Sequence, residues 1–89
     1  MMYYNEMKIS LVQQHATTDR DANLERGVAA VKDAARAGAK IICFAELAFD
    51  PFYPQEKASD KRLELAETIP GPTTEIFSRL ARELSVVLV

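Results

Sequence analysis

Eighty-nine residues allow one small domain, which buries roughly 60 to 65% of the surface its unfolded chain exposes. Charged residues make up 27% of the chain and hydrophobic ones 48%, values that exclude a disordered, fibrous or disulfide-built protein. The formal net charge is -2 and the eleven Lys and Arg are scattered among acidic residues, so no basic stripe follows a phosphate backbone and nucleic acid is not an expected partner.

Residues Met1 to Glu6 lack both the basic start and the long apolar core of a secretory signal, and no apolar run is long enough to span a bilayer. Neither export nor membrane insertion is expected. The single cysteine, Cys43, excludes an internal disulfide and offers no CxxC pair for zinc, which makes the cytoplasm the expected compartment.

Lys8 to Gln14 is a short apolar, β-branched run closed by polar residues, the pattern of a strand with at least one buried face. Thr17 to Asp21 reads as a loop, and Asp21 or Asn23 is placed to cap the helix that follows. From Leu24 the apolar positions Leu24, Val28, Val31 and Ala35 recur at spacings of four, three and four, which predicts a helix with one buried stripe. Glu25 near its start and Lys32 and Arg36 near its end suit the helix dipole, and Gly38 can adopt the left-handed conformation that stops it.

Lys40 to Phe44 is a continuous apolar run suited to a strand covered on both faces. Strand, helix and buried strand in that order predict a βαβ unit with parallel strands and a right-handed connection. Ala48 to Pro54, with two prolines and three aromatics, is expected to fold over the strand's carboxyl end, and the charged stretch Glu56 to Glu67 is expected to be mobile or weakly helical. Pro70 to Thr74 then reads as a turn into a second helix with Ile76, Phe77, Leu80, Ala81 and Leu84 on one face. Ser85 to Val89 starts a third β-branched run that has no closing turn, so a truncated α/β fold is expected, with one face of the sheet poorly covered.

Ligands of open α/β sheets gather beyond the carboxyl ends of the strands, and Glu46 lies two residues past the predicted end of the second strand. Flanked by Phe44, Leu47 and Phe49, its carboxylate is a candidate for partial desolvation and hence for proton transfer near neutral pH. On position alone the favoured reading is a solvated carboxylate after a strand, or one capping the turn that follows. His15 has no second His or Cys at ligand spacing and reads as a surface residue, so no metal or other cofactor is expected. Phe52 and Tyr53, with Phe49, either wall a substrate pocket above Glu46 or pack the loop down.

Ile41 to Leu47 resembles the signature of the nitrilase superfamily of carbon–nitrogen hydrolases, an apolar strand followed by Phe-Pro-Glu-Leu, and Lys8 to Gln13 resembles its opening strand. Asn23 to Ala39 is similar to the family's first helix, and Ile69 to Thr74 resembles its Gly-Pro-Thr turn. The resemblance covers nearly the whole chain and implies that residues 1–89 are the N-terminal β-α-β-α-β portion of an αββα sandwich. It further implies a Glu, Lys and Cys triad that cleaves non-peptide carbon–nitrogen bonds, with Glu46 as general base and the Lys and Cys supplied further along the chain. The implied partner is a small-molecule amide or N-carbamoyl substrate, the aromatic stretch 49–55 inclining toward the latter, and a full-length form is expected to be a homo-oligomer. Ala45 departs from the family pattern, which most often has proline there.

Cys43 precedes the Glu inside a strand and reads as an inert packed thiol, and Lys40 belongs to the far end of that strand. The chain alone is therefore expected to be inactive. Two other readings are a small α/β binding module, disfavoured because Gln14 to Asp19 contains no glycine to cradle a phosphate, and an inactive fragment that associates through its sheet edge.

Overall fold

The computed structural model describes residues 6–51 and 64–89. Strand β1 (Lys8–Val12) leads through a short loop to helix α1 (Arg20–Arg36), and strand β2 (Ala39–Phe44) follows at once. Helix α2 (Pro72–Leu84) and strand β3 (Val87–Leu88) complete the order. The sheet runs β1-β2-β3 with both pairings parallel, as the βαβ reading requires. Main-chain bonds from Val89 to Ile42 at 2.9 Å and from Phe44 to Val89 at 2.8 Å carry the second pairing past β3.

Helix α1 begins a turn earlier than the periodicity implies. Its N-cap is Asp19, whose side chain accepts from Ala22 N–H at 3.1 Å, so neither Asp21 nor Asn23 caps it. Asp21, rather than Glu25, is then the acidic residue of the first turn. At the other end Gly38 has φ +97, the left-handed conformation expected of it, and Lys8 Nζ donates to the Ala37 carbonyl at 2.6 Å, placing a cation at the helix C-terminus.

Helix α2 starts on Pro72, as expected, but its N-cap is Gly71, which has no side chain to offer. Glu67 substitutes, its carboxylate accepting from Thr73 N–H at 3.1 Å. Ser85 ends the helix at φ 54 and so belongs to the C-cap, not to the third strand as expected.

Val31, Ala39, Ile42, Leu80 and Val86 form the core, with Val12, Val28, Phe44, Phe77 and Leu88 against it. Both helices lie on this side of the sheet and touch each other, the result of two crossovers of one hand in a sheet ordered 1-2-3. Among the described residues nothing covers the opposite face. Registered residues Ile9, Ile41 and Val87, and then Leu11 and Cys43, point there, and Leu11 is 72% exposed against 0% for Ile42. The expectation that β2 is covered on both faces is thus corrected: among the described residues only its helix side is.

Arg20, at the first position of α1, ties three segments together. It meets Glu67 at 2.9 Å and Asp50 at 3.5 Å and donates to the Leu65 carbonyl at 3.4 Å. Of the charged stretch expected to be mobile or weakly helical, residues 56–63 lie outside the described residues, residues 64–65 form a short 3-10 turn, and Glu67 is held by these contacts. The nearby Thr73 side chain, then the Thr73 backbone N–H and next the Arg20 guanidinium hold the Glu67 carboxyl below its ordinary value of 4.5, against the opposing effect of burial. The Thr73 hydroxyl lies outside hydrogen-bond geometry, so the N–H contact is the one that is formed. A lowered folded-state pKa stabilises fully above the unfolded value and loses that stabilisation as pH falls through the folded one. The chain is therefore expected to lose stability on acidification below 4.5, and Glu67→Gln to flatten that part of a urea-midpoint-versus-pH curve. An unchanged curve would remove Glu67 as the α2 cap.

Candidate active site

Beyond the carboxyl end of β2 the chain turns sharply over Glu46 to Phe49, and Asp50 N–H closes the turn on the Leu47 carbonyl at 3.3 Å. Leu47 sits at φ 51, a left-handed conformation that costs a non-glycine residue about 1–2 kcal/mol and persists only where surrounding contacts impose it. Those contacts come from the first βα loop and the start of α1.

Asn23 supplies the largest share. It is 0% exposed and is the one polar residue buried within the described core. Its Nδ2 donates to the Thr17 carbonyl at 2.7 Å and to the Phe49 carbonyl at 2.8 Å, while Oδ1 accepts from Thr17 N–H at 2.9 Å, the Thr17 hydroxyl at 3.1 Å and Arg26. Gln14 adds a weaker tie, its Nε2 lying 3.1 Å from the Asn23 carbonyl and 3.5 Å from that of Ala48. From sequence Asn23 is one of two cap candidates, with Asp21, and its spacing carries no sign of the Phe49 carbonyl 26 residues away.

Phe49 turns inward and meets Phe77 face to face at 4.9 Å and Phe44 at 5.2 Å. Its ring leaves no room on α1 for a side chain at Gly27, where a Cβ would lie 2.6 Å from the ring edge. Gly27→Ala sets about 1 kcal/mol of helix preference against an overpacking cost of about 1–3 kcal/mol. The expected outcome is a net loss of about 1 kcal/mol with Phe49 displaced, read from urea unfolding and the Phe49 ring resonances. A stabilised variant with unshifted resonances would contradict this packing.

Glu46 itself is exposed, in line with the solvated reading and not with partial desolvation. The physical reason is that Phe44 and Phe49, which were to bury it, spend their surfaces on Phe77 and on each other. Glu46 stands instead on a ridge between two concavities. One of about 460 Å3 is walled by Phe44, Ala48, Phe49 and Phe77; the other, about 400 Å3, is polar and lined by Gln14, His15 and Asp50. Both fall in the size range of small-molecule sites.

The remaining candidates are not brought to Glu46. Cys43 is half-buried on the bare side of β2, its thiol directed at the Phe44 carbonyl at 3.4 Å. Lys40 lies near the amino end of β2, about 13 Å along the strand from Phe44 at the end that leads to Glu46. His15 is exposed, as expected, and uses its carbonyl to accept from Arg26 at 2.8 Å. Phe52 and Tyr53, expected to wall a substrate pocket, lie outside the described residues. Among the described residues no group of three His, Cys, Asp or Glu is arranged to hold a metal, and no helix is long and apolar enough to cross a membrane.

The carbon–nitrogen hydrolase family model matches residues 8–89. Similar curated proteins include omega-amidase NIT2-A of Xenopus laevis, 33% identical over 84 residues, which are 94% of this chain and 29% of that protein. Omega-amidase NIT2 of Danio rerio is 31% identical over 85 residues, 96% of this chain and 29% of its own length. The human omega-amidase NIT2 is 29% identical over 82 residues, 92% of this chain and 28% of its own length. The chain thus spans less than a third of the length of the curated relatives it matches.

Proposed function

Because this chain belongs to the carbon–nitrogen hydrolase family, we propose that it forms the N-terminal part of an enzyme that hydrolyses small-molecule amides, with Glu46 as its general base. The observation that carries the reading is the placement of Glu46, just past the carboxyl end of β2 and between two concavities of small-molecule size. The relatives named omega-amidases favour a plain amide over an N-carbamoyl substrate.

In the proposed reaction Glu46 takes the proton of a cysteine thiol as the sulfur attacks the amide carbon. A thiol is only slightly ionised near pH 7, so a carboxylate within hydrogen-bond reach supplies thiolate at the moment of attack. A lysine cation stabilises the tetrahedral oxyanion. The carbon–nitrogen bond breaks as the nitrogen receives the proton held by Glu46, leaving a thioester and free ammonia. Water then attacks the thioester, Glu46 accepting its proton and returning it to the sulfur as the acid departs.

The Cys and Lys of this scheme are assigned to the part of the protein beyond Val89. The chain's one cysteine faces the bare side of the sheet, and that apolar side is where the second sheet of a sandwich would lie. The test is an ammonia-release assay with omega-amido acids, simple primary amides and N-carbamoyl amines. The complete gene product is expected to turn over an amide, and the 89-residue chain none of the three. Turnover by the 89-residue chain would overturn the assignment of the nucleophile, and a complete product active on none of them would overturn the substrate class.

A further inference from the structure

We propose that Asn23 is the positioning residue for Glu46, a proposal that rests on the reading of Glu46 as the base. The turn that carries Glu46 has little to hold it from within: Ala45 fixes no φ of its own, and Leu47 is held in a left-handed conformation. What holds the turn is its far end. Both Nδ2 protons of Asn23 are used, one on the Thr17 carbonyl of the first loop and one on the Phe49 carbonyl that closes the turn. Its Oδ1 is filled by Thr17 and Arg26, so the amide cannot flip without leaving buried donors and acceptors unpaired.

The geometry makes the amide a clamp between two loops at the carboxyl ends of adjacent strands, seated on rigid α1. Hydrophobic packing alone does not require this, because an apolar side chain of the same volume would fill the space and release the Phe49 carbonyl. Gly27, one turn along the same helix face, admits the Phe49 ring, so the helix fixes both the backbone and the side chain of that residue. A ligand group set on a ridge depends on such support, since a misplacement of about 1 Å can cost about a hundredfold in rate.

The test is nuclear magnetic resonance on the 89-residue chain with Asn23→Asp, which keeps the shape and the acceptor but replaces both donors. Val31→Ala, a cavity in the same helix away from the turn, serves as the control for lost stability. Asn23→Asp is expected to abolish the nuclear Overhauser contact between the Gly27 α-protons and the Phe49 ring. It should move the amide shifts of residues 46–50 toward random-coil values while those of β1 and β2 stay in place. Val31→Ala is expected to leave the turn's shifts and that contact intact. Thr17→Val, which removes the hydroxyl that donates to Oδ1 and accepts from Asp19 N–H at 3.2 Å, keeps the test decisive if Asn23→Asp does not fold, and is expected to weaken the same contact. An unchanged contact in the variants, or its loss in Val31→Ala to the same degree, overturns the proposal, as does a parent chain in which the contact is absent. Because the readout is the position of the turn and not turnover, it stands or falls separately from the role of Glu46.

Discussion

Glu46→Gln in the complete enzyme is expected to lower kcat by about 10²- to 10⁴-fold, the contribution of a positioned general base. The amide keeps the volume of the carboxylate and one acceptor, but it cannot take the thiol proton. Substrate binding is expected to change little, so the loss falls on kcat more than on KM. Glu46→Asp draws the carboxylate back by about 1 Å and is expected to cost about a hundredfold. Folding serves as the internal control, since Glu46 is exposed and its substitution should alter stability by no more than about 0.5 kcal/mol. Steady-state ammonia release checks the kinetic statements, and urea unfolding checks the stability. Full activity in Glu46→Gln would remove Glu46 from the mechanism, whereas equal losses in activity and stability would show a structural role.

The second large effect concerns the layer beneath the site. Ile42 is wholly buried in β2, and Ile42→Ala is expected to cost about 2–5 kcal/mol through lost burial and the cavity left behind. Leu11, on the neighbouring strand but on the bare face, is 72% exposed, and Leu11→Ala is expected to stay within about 0.5 kcal/mol. For a chain of this size the first figure is a large share of the total, which is about 4–13 kcal/mol at typical per-residue values. Urea unfolding of the 89-residue chain is expected to show the midpoint of Ile42→Ala lowered by at least about 1 M and that of Leu11→Ala almost unmoved. Similar losses from both would mean that the two faces of the sheet are covered alike, contrary to the fold described.

Periodicity was enough to place the elements, because the helices and strands of this chain have to bury one stripe or one face each. Leu24, Val28, Val31 and Ala35 marked α1, the run before Phe44 marked β2, and Gly38 and Pro72 marked where helices end and begin. Boundaries failed where several residues were equally competent. Asp19, Asp21 and Asn23 are all good caps; the Thr17 and Phe49 carbonyls, the latter far off in sequence, take Asn23 out of the competition, and the cap bond forms to Asp19. Ser85 gave no sign of its left-handed backbone, since glycine is the usual marker of that position.

The candidate site was legible in one residue only. The strand-end rule found the place of Glu46, its position alone favoured the solvated carboxylate that the fold has, and the resemblance gave it a role, but the adjacent aromatics raised as its cover do not face it. They face Phe77 instead, a choice made by α2 and invisible from local sequence. The support of the turn was missed for the same reason: Asn23, Gly27 and Arg20 act on residues 22 to 47 positions away.

The most direct test of the central claim is one sequencing read of the encoding DNA beyond the codon for Val89. The account predicts that the frame continues into a strand bearing a lysine and then into a cysteine at a strand-to-helix turn, the two groups that Glu46 needs. A stop codon directly after Val89 would contradict it, because the chain's one cysteine and Glu46 are not brought together by this fold.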